Sequence, residues 1–219
     1  MWRQTTTSDA PFEFALASSG QRIQIAESHD FIGTRVWDGG VLLSRDLEHA
    51  APRLALAGAS VVEVGCGTGL VSMVAASLGA RVVATDVPSV AARCAEVVAA
   101  NGFGGLVHAA PLAWGDASHA AAVVAAAGGC VDVVLFSDLA APAACVEPLL
   151  RTLRALQPAR ARMLLVCQLQ REFTAPLLEG LRREWPGCLR EVSPADQHPS
   201  FVAAEGRHGL YELVQASGE

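Results

Sequence analysis

The segment Val61-Val62-Glu63-Val64-Gly65-Cys66-Gly67-Thr68-Gly69-Leu70 decides the fold of this chain. Its first four residues are typical of a buried strand, and the alternating glycines that follow predict a strand-to-helix loop that binds a nucleotide cofactor. A dinucleotide fold requires Gly-x-Gly-x-x-Gly, in which the third glycine lets the helix pack closely on its strand. Leu70 occupies that third position, so the dinucleotide fingerprint fails. An ordinary turn is the alternative, although three alternating glycines exceed what a turn needs.

A second carboxylate follows at the spacing that nucleotide-binding folds use. The segment Ala80-Arg81-Val82-Val83-Ala84-Thr85-Asp86 reads as an apolar strand that ends in an acid. It ends about 20 residues beyond the loop, where such folds place the residue that binds the ribose hydroxyls. Asp86 is therefore the predicted ribose ligand. A helix N-cap is the alternative, because Pro88 fits the first turn of a following helix.

Composition indicates one globular domain. The 219 residues are 52% hydrophobic and 17% charged, which excludes a disordered chain. We expect a flexible tail over 1–11 and a single domain over 12–219. No apolar run approaches the roughly 20 residues that span a bilayer, and no secretory signal is evident at the N-terminus, so we expect no membrane association.

Charge and cysteine usage narrow the partners and the compartment. The net charge of −6 argues against nucleic-acid binding and is compatible with basic peptides. The cysteines form no Cys-x-x-Cys pair and have no nearby histidine partner, so we expect buried thiols in a reducing compartment and no metal site. We expect a monomer in the cytoplasm, with the nucleus as the alternative. The six cysteines are Cys66, Cys94, Cys130, Cys145, Cys167 and Cys188.

The rest of the chain alternates strands and helices as a doubly wound sheet requires. Two short alternating segments, 12–14 and 22–25, precede this core and predict a β-hairpin around Gly20. We expect the hairpin to extend over 12–36 and the core over 37–219, with an apolar helix running to about Glu48. Further strands are expected at 105–109, 131–136, 162–168, 187–192 and 209–215, and further helices at 70–78, 89–100, 116–127, 142–156 and 171–185.

The order of these motifs resembles that of the seven-strand (class I) S-adenosylmethionine (SAM) methyltransferases, and in particular their protein-lysine methyltransferase branch. That branch includes the enzymes that act on calmodulin, Hsp70-type chaperones and valosin-containing protein. The motifs that carry the resemblance are the hairpin, Val36-Trp37-Asp38, the glycine loop, Ala84-Thr85-Asp86, Leu112-Ala113-Trp114-Gly115 and Phe136-Ser137-Asp138. The resemblance implies a Rossmann-like seven-stranded α/β sheet with helices on both faces. It also implies an N-methyltransferase that uses SAM, releases S-adenosylhomocysteine and acts on an accessible lysine of a protein.

Residue roles follow from the resemblance. Trp37 corresponds to a wall of the methionine end of SAM, Asp86 to the ribose ligand and Trp114 to a residue beside the adenine. Asp138 lies where the fourth core strand opens onto the acceptor and is the predicted catalytic residue, with a docking and orienting role. Core packing is the alternative for the two tryptophans, and capping of the next helix for Asp138. The predicted cofactor-binding residues are Trp37, Glu63, Gly65, Cys66, Gly67, Gly69, Asp86, Trp114 and Ser137.

One departure from the family pattern concerns the substrate. The family carries an acid, two spacers and an aromatic after the fourth strand, and this chain has Asp138-Leu139-Ala140-Ala141. A small-molecule amine methyltransferase and an inactive SAM-binding scaffold are therefore alternatives. If an aromatic wall exists, Phe201 or Trp185 has to supply it. Among the histidines, His198 is the best candidate for a general base.

Overall fold

The computed structural model describes residues 10–28, 32–156, 162–204 and 206–214. Residues 1–9 of the predicted tail, His29 and Gln215 lie outside these ranges. Nine strands and eight α-helices are present in the described residues, together with two 3-10 turns. In chain order the elements are β1 (Phe12–Ala15), β2 (Arg22–Ile25), a 3-10 turn (Ile32–Thr34), α1 (Asp38–His49), α2 (Ala51–Leu54), β3 (Ser60–Val64), α3 (Leu70–Ser77), β4 (Arg81–Asp86), α4 (Pro88–Ala100), β5 (Val107–Pro111), α5 (Ala117–Ala126), β6 (Val133–Ser137), a 3-10 turn (Ala143–Cys145), α6 (Val146–Leu156), β7 (Arg162–Gln168), α7 (Thr174–Glu184), β8 (Leu189–Glu191), α8 (Ser200–Ala203) and β9 (His208–Leu213).

Seven strands form one sheet in the order β5-β4-β3-β6-β7-β9-β8. The first five are parallel to one another, and β9 is antiparallel to both β7 and β8. The carboxyl ends of the five parallel strands therefore meet at one edge, which the amino end of β9 joins. The predicted seven-strand α/β sheet is confirmed.

Helices cover both faces because the central strands bury side chains on both sides. In β6, Val133 and Leu135 belong to one core cluster, and Val134 and Phe136 belong to the other. Helices α1, α3 and α4 pack on the first face and α5, α6 and α7 on the second. No helix within the described residues is long and apolar enough to cross a membrane.

The predicted N-terminal hairpin is also confirmed. Strands β1 and β2 pair antiparallel, with Phe12 opposite Ile25. Their buried side chains join the first core cluster, so the hairpin is part of the folded domain. The Asn101 amide, at the end of α4, accepts from the Gln24 backbone N–H and donates to the Gln24 carbonyl, each at 2.8 Å. This pair of hydrogen bonds anchors β2 to α4.

Several predicted boundaries differ from the structure for local reasons. Strand β5 begins at Val107 because the Phe103 carbonyl accepts from the N–H groups of both Leu106 and Val107, which prolongs the turn. The helix predicted from Pro142 begins as a 3-10 turn, since Pro142 itself is extended. The predicted loop before the last strand contains the single helical turn α8.

Candidate active site

A cavity of about 790 Å³ opens at the carboxyl edge of the sheet. This is the address at which open α/β sheets bind ligands, because the loops that leave successive strands diverge there. Residues from the ends of β3, β4 and β6 line it, together with the segment before α1 and the loop after β5. Seven residues predicted from the sequence are brought together here: Trp37, Gly65, Gly67, Asp86, Trp114, Ser137 and Asp138.

The glycine loop is shaped by contacts within the protein. Gly65, Gly67 and Gly69 have φ of 72°, 50° and 78°, a region that other residues rarely adopt. A Cβ on Gly69 would lie 2.7 Å from Cys94 Sγ, and one on Gly65 would overlap the Leu139 side chain. Backbone conformation and close packing therefore both require glycine at these two positions.

Three of the predicted cofactor-binding residues, Glu63, Cys66 and Gly69, are not among the residues that line the cavity. The Glu63 side chain lies beneath the loop, where it is 2% exposed and accepts a hydrogen bond from Ser72 Oγ. Burial raises the pKa of Glu63 to about 8, against the lowering effect of the Ser72 bond. Its observed contacts support the loop from within the core.

Asp86 faces the cavity with its carboxylate already oriented. Its Oδ2 accepts from the Gly67 N–H at 3.0 Å and its Oδ1 from the Val87 N–H at 2.8 Å. The N-cap residue of α4 is Val87 and no side chain caps it, so the helix-cap interpretation of Asp86 is wrong. A carboxylate offers about four acceptor positions, which leaves two on Asp86 for hydroxyl groups of a ligand. Burial raises the pKa of Asp86.

Both predicted tryptophans line the cavity. Trp37 is 37% exposed, and its Nε1 donates to the Ile32 carbonyl at 3.1 Å. The guanidinium carbon of Arg171 lies 5.1 Å from the centroid of its ring, within the range of cation–π contacts. Trp114 stacks on Phe173 with ring centroids 6.2 Å apart. Core packing therefore does not describe Trp37, whereas Trp114 packs on the core and also lines the cavity.

The predicted late aromatic wall is wrong. Phe201 and Trp185 are 5% and 8% exposed and belong to the two core clusters, not to the cavity. Where the family carries its aromatic, Ala141 lines the cavity beside Ala140. Trp37 and Trp114 are the aromatic residues among those that line it.

Asp138 is buried, 3% exposed at its side chain, and its carboxylate accepts two hydrogen bonds and has one imidazole nearby. Its Oδ2 accepts from the Gly39 N–H at 2.7 Å, and its Oδ1 from the Gln168 N–H at 3.2 Å. His208 Nε2 lies 3.4 Å from Oδ2. The interpretation of Asp138 as a cap of the helix that follows it is wrong, because no side chain caps that segment at Pro142. Asp138 instead accepts from an N–H in the first turn of α1.

His198 does not belong to this site. Its backbone N–H donates to Asp46 Oδ1 near the end of α1 opposite Asp138, and its Nδ1 accepts from the Ser200 N–H. Eight residues of helix, about 12 Å, separate Asp46 from Asp38 at the start of α1. Burial lowers the pKa of His198. The prediction of a general base at this position is therefore wrong.

Sequence reasoning missed two residues of the site. The first is Arg35, which borders a small cavity of about 40 Å³. This small cavity shares Trp37, Gly65, Gly67 and Ser137 with the large one, and the predicted residue Cys66 also borders it. The second missed residue is His208. His208 reaches Asp138 because β9 is antiparallel, which brings its first residue to the carboxyl edge. The sequence predicts antiparallel closing strands, and an antiparallel last strand begins at the carboxyl edge of the sheet. That direction is the signal that could have indicated His208.

Comparisons with known proteins agree with the geometry. Residues 17–183 match the family described as lysine methyltransferase. Protein N-lysine methyltransferase METTL21A of Danio rerio is 33% identical over 200 residues, which are 87% of this chain and 84% of that protein. Protein-lysine methyltransferase METTL21E of Mus musculus is 47% identical over 77 residues, and the match spans only 30% of its length.

Among solved structures, the T. thermophilus 16S rRNA N2 G1207 methyltransferase RsmC, in complex with AdoMet and guanosine, superimposes with a TM-score of 0.63 at 15% identity. The superposition covers 94% of this chain and 50% of that one. At this identity the similarity shows the shared methyltransferase fold.

Proposed function

The chain belongs to the lysine methyltransferase family, and on that premise we propose that it transfers the methyl group of SAM to the side-chain amine of a lysine in a protein. The observation that carries the proposal is the convergence of the glycine loop, Asp86 and Asp138 on one cavity. Its volume of about 790 Å³ lies within the roughly 300–1,000 Å³ of pockets that hold ligands of this size.

The residues present fit a nucleoside that carries an amino-acid tail. Asp86 offers two oriented acceptor positions for a pair of ribose hydroxyls. Trp114 provides a flat apolar surface for a base, and Arg35 in the small cavity provides a cation for a carboxylate. When bound, SAM supplies a methyl group on a positively charged sulfur.

The acceptor amine has to be neutral to attack that methyl group. A free lysine has a pKa near 10.4, so only about one amine in a few thousand is neutral at pH 7. The apolar walls Leu139, Ala140 and Ala141 disfavour the charged form, and we propose that Asp138 orients the amine through its one unoccupied acceptor position. The proton that the lysine ammonium loses passes to water.

Calorimetric titration of S-adenosylhomocysteine tests the cofactor site. We expect micromolar binding by the native chain and loss of most of it in Asp86→Ala. Asp132→Ala is the matched control, because Asp132 also bonds a backbone N–H but at the opposite edge of the sheet, on Ser60. Absence of binding by the native chain would reject the proposal.

Transfer of a labelled methyl group from SAM into the proteins of a cell extract tests the acceptor. After hydrolysis of the labelled protein, methylated lysine is the expected product. Label confined to small molecules would favour an amine methyltransferase, and binding without any transfer would favour a scaffold.

The charge and the cysteines of the chain bear on its compartment, oligomeric state and partners. We infer a cytoplasmic monomer whose partner is the substrate protein and which binds no nucleic acid. The net charge of −6 and the absence of disulfides among the described cysteines support this inference. Cys66, Cys94 and Cys167 are buried, but Cys145 and Cys188 are only partly buried and Cys130 is exposed, so the expectation of buried thiols was wrong for these last three.

A further inference from the structure

His208 is placed at the active site by the topology of the sheet. It is the first residue of β9 and lies opposite Gln168, the last residue of β7. The backbone N–H of that same Gln168 donates to Asp138. The sheet register thus brings an imidazole and a backbone donor to the same carboxylate.

The imidazole of His208 is buried, and it contacts Asp138 through Nε2 only. Its side chain is 6% exposed, and its Nε2 lies 3.4 Å from Asp138 Oδ2. Its Nδ1 is inaccessible to solvent and has no hydrogen-bond partner within the part of the chain that the structure describes. Buried polar atoms are nearly always paired, so an unpaired one requires a reason for its retention. Among the described residues, the Asp138 carboxylate is the one polar contact of this side chain.

Three of the four hydrogen-bond acceptor positions of the Asp138 carboxylate face donors. Oδ2 accepts from Gly39 and faces His208, whereas Oδ1 accepts from Gln168 alone among the residues that the structure describes. With two acceptor positions on each oxygen, the open one lies on Oδ1. Asp138 also has a φ of 46°, a conformation that persists in a non-glycine residue only when its surroundings hold it.

We propose that His208 is a positioning residue for methyl transfer. Its Nε2–H holds Oδ2 in place, so that the open acceptor position on Oδ1 is presented to the lysine amine. His208 is not among the residues that line the cavity and acts only through Asp138. This inference rests on the function proposed above.

The test compares His208→Leu with His208→Gln. Leucine removes the donor, and a misplaced orienting group of this kind lowers kcat by about 10- to 100-fold. Glutamine places an N–H near the position of Nε2 and should restore most of the lost kcat. The affinity for S-adenosylhomocysteine should be unchanged in both variants, because Asp138 is not proposed to bind the cofactor.

Leu210→Ala is the matched control. Leu210 lies on the same strand and is fully buried, so its truncation should lower the thermal stability while kcat measured well below unfolding stays near the native value. A native kcat in His208→Leu would overturn the inference. A loss of kcat that glutamine does not restore would also overturn it, because a purely structural role predicts that result.

A readout without turnover separates this inference from the proposed function. Long-range ¹H–¹⁵N NMR should show His208 as the Nε2–H tautomer, with ring signals that move in Asp138→Asn. The Nδ1–H tautomer would overturn the pairing even in an active enzyme. If the native chain transfers no methyl group to protein lysine, the proposed function fails, and the inference fails with it whatever the tautomer.

Discussion

Replacement of Glu63 by glutamine should remove a pH-dependent loss of stability. Glu63 has a pKa near 8 in the folded chain and 4.5 as its ordinary value. Between these values the folded chain holds one proton more at this position than the unfolded chain, so the free energy of unfolding falls as the pH rises. The interval of about 3.5 corresponds to about 5 kcal/mol at about 1.4 kcal/mol per pH unit. Glutamine does not titrate and avoids this loss.

The assay is urea unfolding of both chains from pH 4.5 to pH 9, with the free energies extrapolated to water. The free energy of unfolding of the glutamine variant minus that of the native chain should increase with pH up to about pH 8 and then level off. Tryptophan fluorescence and far-UV circular dichroism must give coincident transitions for these free energies to be defined. Glu147→Gln is the control, because Glu147 is exposed and should show no comparable rise.

A flat difference curve would mean that Glu63 titrates in the folded chain as it does in the unfolded one. A difference that falls with pH would mean that the loop stabilises the ionised form. Either result would refute the argument that Glu63 is a neutral acid whose contacts lie within the core. Ser72→Ala gives a further check, because its hydroxyl lowers the pKa of Glu63 and its removal should move the rise to higher pH.

Three further predictions concern the site and the sheet. Gly39→Ala should lower methyl transfer at least tenfold, because its Cβ would lie 2.5 Å from Asp138 Cγ. Gly40→Ala is the control and should retain activity, because the atom nearest to a Cβ on Gly40 is 3.6 Å away. The affinity for S-adenosylhomocysteine should fall as the pH is lowered through the raised pKa of Asp86, and calorimetry between pH 8 and pH 5 that shows no change would contradict this. Glu212→Gln should destabilise the chain in urea by about 3 kcal/mol, because its fully buried carboxylate pairs with three arginines, and a native unfolding midpoint would exclude this role.

The fold could be predicted wherever local pattern and tertiary environment agree. Strand β7 occupies Arg162–Gln168 as predicted, because an apolar run bounded by polar residues fits a strand buried on both faces. Strand β5 begins two residues later than predicted, because the preceding turn is fixed by two hydrogen bonds to one carbonyl that no periodicity reveals. Helix α8 was missed because four residues are too few to show a period.

Some residues of the site could be predicted from their local sequence, and others could not. Gly65, Asp86 and Asp138 carry signals in their own neighbourhoods, namely a strand end followed by glycine or by an acid. The contributions of His208 and Arg35 depend on long-range contacts with no local signature. The late aromatics Phe201 and Trp185 were proposed from a shortage of aromatic residues, yet the core uses both. A compositional argument names available residues but does not place them.

Asp138 shows why the activity of a variant at a predicted catalytic residue would be uninformative here. Asp138→Ala would leave the buried N–H groups of Gly39 and Gln168 unpaired, so a loss of activity would not separate chemistry from folding. Asn tolerates the left-handed conformation, but its NH₂ would face one of those two donors whichever way the amide turns. The decisive variants therefore lie one contact away. His208→Gln keeps the donor and Gly39→Ala displaces the carboxylate, so together they vary the placement of Asp138 without changing its chemistry.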